Sequence, residues 1–128
     1  MRTIKFRGRF IYGKEWFQGD LEYKRADNIA VIHTYDKDGY YIRKYHVDPD
    51  TIGQFTSLYD CDGKEIFEGD ILDFNGIKVE VRFVRGVFAF LANGDLDNEL
   101  CGDCRTDMFA KVIGNIHDNH ELLKGGKK

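Results

Sequence analysis

Cys101-x2-Cys104, followed after twelve residues by His117-x2-His120, has the residue types and nearly the spacing of a Cys2His2 zinc site. Thiolates and imidazoles are the ligands that tetrahedral zinc takes. The context argues against it. A finger presents its histidines from a helix at an interval of three to five residues, and its cysteines from a hairpin. Here His117 closes the strand-like Lys111–Ile116 (KVIGNI), and Gly102-Asp103 lies in an acidic loop. The same CGDC pair would need a helix N-terminus to become a redox thiol. RTDMFAKVIG does not read as a helix, and Asp103 opposes thiolate formation. Asp95-x-Asp97-x-Glu99 opens like a calcium loop, but Leu100 and Thr106 stand where that loop needs Gly and Glu. No Ser/His/Asp set on a strained turn is visible. The expectation is therefore no metal, no cofactor and no enzyme.

The basic strand at the start offers different chemistry. Lys5, Arg7 and Arg9 alternate with Phe6 and Phe10, with Tyr12, Trp16 and the Tyr40–Tyr41 pair expected nearby. Cations that neutralise phosphates, interleaved with rings that stack bases, make a single-strand nucleic-acid platform. The plainer reading makes the aromatics the core of an N-terminal sheet and leaves the cations on a solvated face, or guarding an edge strand. Net charge is −3, which weighs against nucleic acid. The charge is uneven: residues 1–50 carry ten Lys/Arg against eight Asp/Glu, and residues 51–128 carry nine against fourteen.

At 128 residues the chain has the length of one domain. One proline, fourteen glycines, ten Phe and seven Tyr favour β structure. No apolar run reaches the length of a membrane span, and MRTIKFRG lacks the apolar segment of a signal peptide. With that start, the three cysteines are expected to be reduced in a cytoplasm.

The elements that must position these residues follow from periodicity and turns. Ile4–Tyr12 alternates as a strand, Gly13-Lys14 turns, and Trp16–Tyr23 is a strand interrupted at Gly19-Asp20. Ile29–Tyr35 is a mostly buried strand, Asp36–Gly39 a tight turn and Tyr40–Val47 the return. Asp48-Pro49-Asp50 stops it. Asn75-Gly76 predicts a type I′ hairpin. In the strand after it, Ile77, Val79, Val81 and Phe83 should face inward and Lys78, Glu80 and Arg82 outward. Arg85-Gly86 turns into the apolar run Val87–Leu91, buried on both faces. Asn93–Asp107 is expected to be a loop, Lys111–Ile116 the last strand, and Asp118–Leu123 a short helix capped by Asp118 or Asn119. The division expected is an N-terminal β region at 1–50, a connecting segment at 51–68, a small barrel with a C-terminal helical turn at 69–123, and a tail at 124–128.

One string occurs twice: GKEWFQGDL at 13–21 and GKEIFEGDI at 63–71. Its shared polar groups are Lys14/Lys64, Glu15/Glu65 and Asp20/Asp70, too few for duplicated catalysis. A glycine for the turn, an apolar pair as anchor and Gly-Asp to bend the chain make a strand entry, so the repeat is expected to be a device of the fold.

Asp48-Pro-Asp-Thr-Ile-Gly53-Gln-Phe-Thr56, Leu58-x-Asp60 and Gly63-Lys-Glu-Ile-Phe-Glu-Gly69-Asp70-Ile71 together resemble the central signature of the YopX family of phage and prophage proteins. IKFRG at the start, and Val112–Ile116 with Glu121-Leu-Leu123 at the end, match that family's ends. The resemblance implies a mostly β protein with an SH3-like barrel, phage-derived and acting in a bacterial cytoplasm, with Gly53, Gly63, Gly69 and Asp70 as structural signature. It brings no catalytic residues. His117 and His120 stand where the family has Tyr and Pro, so nothing about that pair is inherited. The expected role is binding, with protein as the partner class, including copies of this chain in a homo-oligomer. Nucleic acid held by Lys5, Arg7 and Arg9 is the alternative, and no membrane is involved.

Overall fold

The structure is a computed structural model that describes residues 2–100 and 105–124. It is mostly β and divides into two compact units, Met1–Phe55 and Thr56–Lys128.

Unit 1 is an antiparallel sheet in the order β4-β3-β2-β1-β5, formed by Phe6–Arg9 (β1), Trp16–Lys24 (β2), Ile29–Tyr35 (β3), Tyr41–Val47 (β4) and the first residues of Gly53–Tyr59 (β5). A 3-10 helix, Pro49–Thr51, joins β4 to β5. Proline fits its first turn, where no N–H is needed, and the Asp48 carboxylate accepts from Asp50 N. Phe6, Phe17, Leu21 and Ile52 pack on the buried Ala30, Ile32 and Val47. This is the inward face that the alternation of Phe6 with Lys5 and Arg7 predicts.

β2 runs unbroken through Gly19, contrary to the interruption expected there. Gly19 pairs with Phe6 on one side, and a Cβ built on it would collide with the His33 carbonyl on the other. The glycine is therefore needed for close approach of two strands and makes no bend.

Unit 2 contains a five-stranded antiparallel sheet in the order β10-β9-β8-β7-β11. Its strands are Asp70–Phe74 (β7), Ile77–Val84 (β8), Val87–Ala92 (β9), Glu99–Leu100 (β10) and Ala110–Asn115 (β11). Two-residue turns make the β7–β8–β9 meander, with positive φ at both centres: 55° and 92° at Asn75-Gly76, 50° and 84° at Arg85-Gly86. The core is Ile66, Leu72, Val79, Val81, Phe90 and Ala110. No pairing among the described residues joins β10 to β11, so the closed barrel expected over 69–123 is absent and the sheet is open. The segment expected as a connector holds the rest of β5 and Glu65–Phe67 (β6), where the Thr56 hydroxyl donates to Ile66 O.

The strict alternation expected along β8 holds only at its centre. Val79 and Val81 are buried, but Ile77 and Phe83 at the two ends are exposed. Glu80, expected outside, is 5% exposed. Its carboxylate takes two bonds from the Arg82 guanidinium, at 3.0 and 2.7 Å, beside Gly94. A burial of this kind requires a charge partner, and Arg82 two residues away on the same face supplies it. The region expected as a loop, 93–107, contains β10 and the start of Thr106–Phe109 (α1), and the C-terminal helix is Glu121–Lys124 (α2). Neither expected cap sits at its start: Asn119 instead accepts from Asn115 N, and Asn115 Oδ1 takes the N–H groups of His117 and Asp118.

Asp60 ties this unit together. Its carboxylate, almost wholly buried, accepts from Asp62 N and Lys64 N across its own turn and from Val112 N on β11. Burial by itself raises an aspartyl pKa, but these three donors outweigh it and hold Asp60 below the usual range. Asp60→Ala leaves buried N–H groups without acceptors and should cost about 3 kcal/mol in urea melts. Because the folded pKa is depressed, the stabilisation is complete above the ordinary Asp value of about 3.9 and disappears as pH falls through the lower folded value. Acidification from pH 7 to about 3 should therefore destabilise the native chain more than Asp60→Asn, which has no carboxylate to protonate.

Candidate functional site

The β3–β4 hairpin presents the densest run of exposed rings in the chain. The Asp36 carboxylate accepts from Asp38 N and Tyr40 N, each at 2.9 Å, and Asp36 N donates to Tyr40 O at 2.8 Å. Asp, Gly and a closed pair are what a rigid tight turn uses. Beyond it stand Tyr35, Tyr40, Tyr41 and Ile42, with 43%, 73%, 53% and 54% of their surface in solvent. The Tyr35 and Tyr41 rings meet edge-on at 5.7 Å, and Tyr41 lies 5.9 Å from the His33 ring. A bulge between Thr34 and Tyr35 brings Tyr41 opposite Tyr35 and offsets Ile42 from the ladder.

Polar groups fix the surface behind these rings. Glu22 Oε1 lies 2.9 Å from His33 Nε2, and that bond holds the Glu22 carboxyl below its ordinary pKa. The Tyr35 hydroxyl is hydrogen-bonded to Asp20, which pushes its pKa up. Arg43 and Lys44 extend into solvent beside the rings.

β4 is the outer strand of unit 1, but little of its edge is open. Ile11 N donates to His46 O and Phe10 bridges Val47, which covers its C-terminal end. The bulge and the Arg43-Lys44 pair blunt the remainder, the usual protection against edge pairing.

Lys5, Arg7 and Arg9 are not a solvated face. All three are half-buried on β1 and the residue before it. The Arg7 guanidinium lies 4.9 Å from the centre of the Trp16 ring, and Lys5 Nζ lies 5.3 Å from that of Phe55. Of the expected cations and aromatics, Arg7 and Trp16 come together, and Lys5 meets Phe55, a ring outside the expected set. On the opposite face Phe17 stacks on Tyr45 at 3.6 Å, with Phe10 edge-on to both.

The two copies of the repeated string do different work. In the second, Gly63 (φ 79°) closes the turn, and Gly69 (φ 94°) bends the chain between β6 and β7. The buried Asp70 accepts from Phe67 N at 2.7 Å there. In the first, Gly19-Asp20 lies within β2, and Asp20 is exposed and bonded to Tyr35. The expected fold device is thus the second copy alone. Gly53, also in the signature, lies on β5 and pairs with Arg7 on β1.

Cys101 and Cys104 lie outside the described residues, and with them the zinc and redox arrangements. Asp95 accepts from Asp97 N and Asn98 Nδ2, while Glu99 pairs with Arg85, so these acids close a turn and an ion pair. Of the exposed hairpin, sequence reasoning singled out the turn and the Tyr40–Tyr41 pair but missed Tyr35 and Ile42. Their exposure follows from the bulge, which has no sequence signature here.

These features define a small antiparallel β protein of two units. The chain belongs to the YopX family: the model of the YopX protein matches residues 5–124. It is similar to protein EF1440 from Enterococcus faecalis, known from a crystal structure. The likeness covers 96% of this chain and 99% of that one, at 26% identity and a TM-score of 0.58. No curated protein matches the chain.

Arg7→Ala removes a cation from the face of the single tryptophan. It should destabilise the protein by about 1 kcal/mol and shift Trp16 emission. A solvated Arg7 would leave both the melt and the spectrum at their native values.

Proposed function

We propose that this chain is a non-enzymatic, phage-derived module that binds another protein through the β3–β4 hairpin of unit 1. The exposed run Tyr35, Tyr40, Tyr41 and Ile42 on a hydrogen-bonded turn carries the reading. Tyrosine presents a large, rigid, amphipathic surface at low entropic cost, and such rings dominate protein interfaces. A contiguous apolar cluster on a small protein marks an interaction surface far better than scattered single side chains do. A non-enzymatic role agrees with the use made of the carboxylates: Asp36, Asp48, Asp60, Asp70 and Asp95 each accept backbone N–H groups. Unit 2, an open relative of an SH3-like meander in this reading, serves as scaffold.

The partner proposed is a different protein, with an apolar groove rimmed by acids. Lys37, Arg43 and Lys44, exposed on this hairpin, outnumber its exposed Asp38, while the Asp36 carboxylate is turned into its own loop. Pairing with a second copy meets an obstacle. If two β4 strands align antiparallel over Tyr41–Tyr45, Arg43 faces its own copy, and shifts of one or two positions toward Val47 oppose Arg43 to Lys44 or Lys44 to Lys44. Like charges directly opposite are destabilising. Nucleic acid is the weaker reading, because Arg7 and Lys5 are half-buried against Trp16 and Phe55.

Tagged chain captured from infected or lysogenic cells, after nuclease treatment, should retain a protein that Tyr41→Ala and Ile42→Asp each release. Both variants should melt like the native chain, since these side chains are exposed. Met108→Ala, exposed in unit 2, should keep the partner. Equal capture by all variants, loss of the partner with nuclease, or a homodimer in sedimentation that survives Tyr41→Ala would overturn the proposal. Loss of about 2 kcal/mol of affinity is expected for a central tyrosine.

A further inference from the structure

We infer that unit 1 carries a second site, a pocket for the cationic side chain of a lysine or arginine. A cavity of about 320 Å³ is lined by Leu21, Tyr23, Asn28, Pro49, Asp50 and Ile52. That volume stands at the lower end of ligand pockets, with room for a side chain rather than a large cofactor.

Leu21 and Tyr23 are two apart on β2 and share a face, paired with Ile32 and Ala30. Pro49 and Ile52 come from the 3-10 helix and its C-cap. The walls are held in place. Tyr23 Oη donates to Asn28 Oδ1 at 2.6 Å, across a turn in which Asn28 takes φ 52°. The helix is fixed by Asp48, whose carboxylate takes Asp50 N and whose carbonyl takes the Thr51 hydroxyl at 2.6 Å. Thr51 in turn accepts from Arg9 N on β1. Asp50 is exposed at the wall, and among the described residues none bonds its carboxylate.

This combination selects a class of ligand. Leu21, Ile52, Pro49 and the Tyr23 ring offer apolar contact, while Asp50 repels an anion and gains nothing from a neutral hydrocarbon. An aliphatic stem ending in a cation satisfies both parts: the stem covers the walls and the head makes a charge-assisted bond to Asp50. The ring of Tyr23 adds a cation–π contact. The pocket sits at the Ile29 end of β3 and the tyrosine hairpin at the Tyr35 end. Seven residues at about 3.3 Å each put them roughly 20 Å apart, so either site can fail without the other.

Amide NMR spectra of the full chain, titrated with N-acetyl-arginine methylamide and N-acetyl-lysine methylamide, test the inference, with uncharged N-acetyl-citrulline methylamide as control. At least one cationic probe should give saturable shifts confined to the amides of Leu21, Tyr23, Asn28, Asp50 and Ile52. Citrulline should bind at least about tenfold more weakly, the loss of one charge-assisted bond. Asp50→Asn should weaken the cationic probe by a similar factor with an unchanged melt, and Asp38→Asn, in the distant hairpin, should not weaken it. Equal binding of citrulline, shifts that never saturate or spread over the surface, or native affinity in Asp50→Asn would each overturn it.

Discussion

A carboxylate taken out of water must find donors, and the way Asp60 finds them sets much of unit 2. Two of its three partners belong to its own turn, but the third, Val112 N, is 52 residues away on β11. Cys61 N reinforces the same junction by donating to Ala110 O. The last strand of the sheet is thereby tied to the turn between β5 and β6, and Ala110 is placed in the core with Ile66 and Leu72. Asp70 does the equivalent work for the entry to β7, where Gly69 N and O bond Val81 and Ile116. Buried acids of this kind are costly unless fully satisfied, so they define one arrangement of the chain and penalise others.

Unit 1 solves its packing differently, with rings. Phe17, Tyr45 and Phe10 fill one side of the sheet, and Trp16 and Phe55 receive cations on the other. Arg7 and Lys5 use their stems as packing material and their charge as a ring partner, which is how long cations become half-buried without losing their charge. Tyr12 and Tyr23 are exposed as well, but the β3–β4 hairpin is where unit 1 gathers three exposed tyrosines, Tyr35, Tyr40 and Tyr41.

Much of the fold was legible because turn chemistry is local. Asp36–Gly39, Asn75-Gly76 and Arg85-Gly86 state where the chain reverses, and the strands between them follow by alternation. Burial at the ends of strands and closure of the sheet were not legible, since both depend on partners distant in sequence. Glu80 looks outward by period and is buried because Arg82 and the Gly94 turn meet it there. Gly19 looks like a bend and is a point of close approach, since the His33 carbonyl that requires it lies on another strand. The basic strand reads from sequence as cations interleaved with rings, but which ring each cation meets is not legible, because Trp16 comes to Arg7 through the pairing of β1 with β2.

Exposure by itself selects no surface, because every protein leaves apolar atoms in water. Ile4 and Leu96 are exposed singly and carry no argument, and Ile11 stands beside the exposed Tyr12 alone. The β8–β9 tip is the serious competitor, with Phe83 and Val87 exposed on either side of its turn. There the Phe83 ring packs edge-on to Phe88 at 5.1 Å, and Arg85 at the apex is drawn to Glu99 on the neighbouring β10. Phe83 and Arg85 are thus already partnered within the sheet. At the β3–β4 hairpin the turn satisfies its own backbone through Asp36, and Arg43 and Lys44 project outward. Tyr35 and Tyr41 pack on each other there, while Tyr40 meets no ring among the described residues. A rigid turn that holds several large side chains in water gains little stability from them. The same rigidity lowers the entropy lost when a partner covers them, and that favours a binding surface over a folding one.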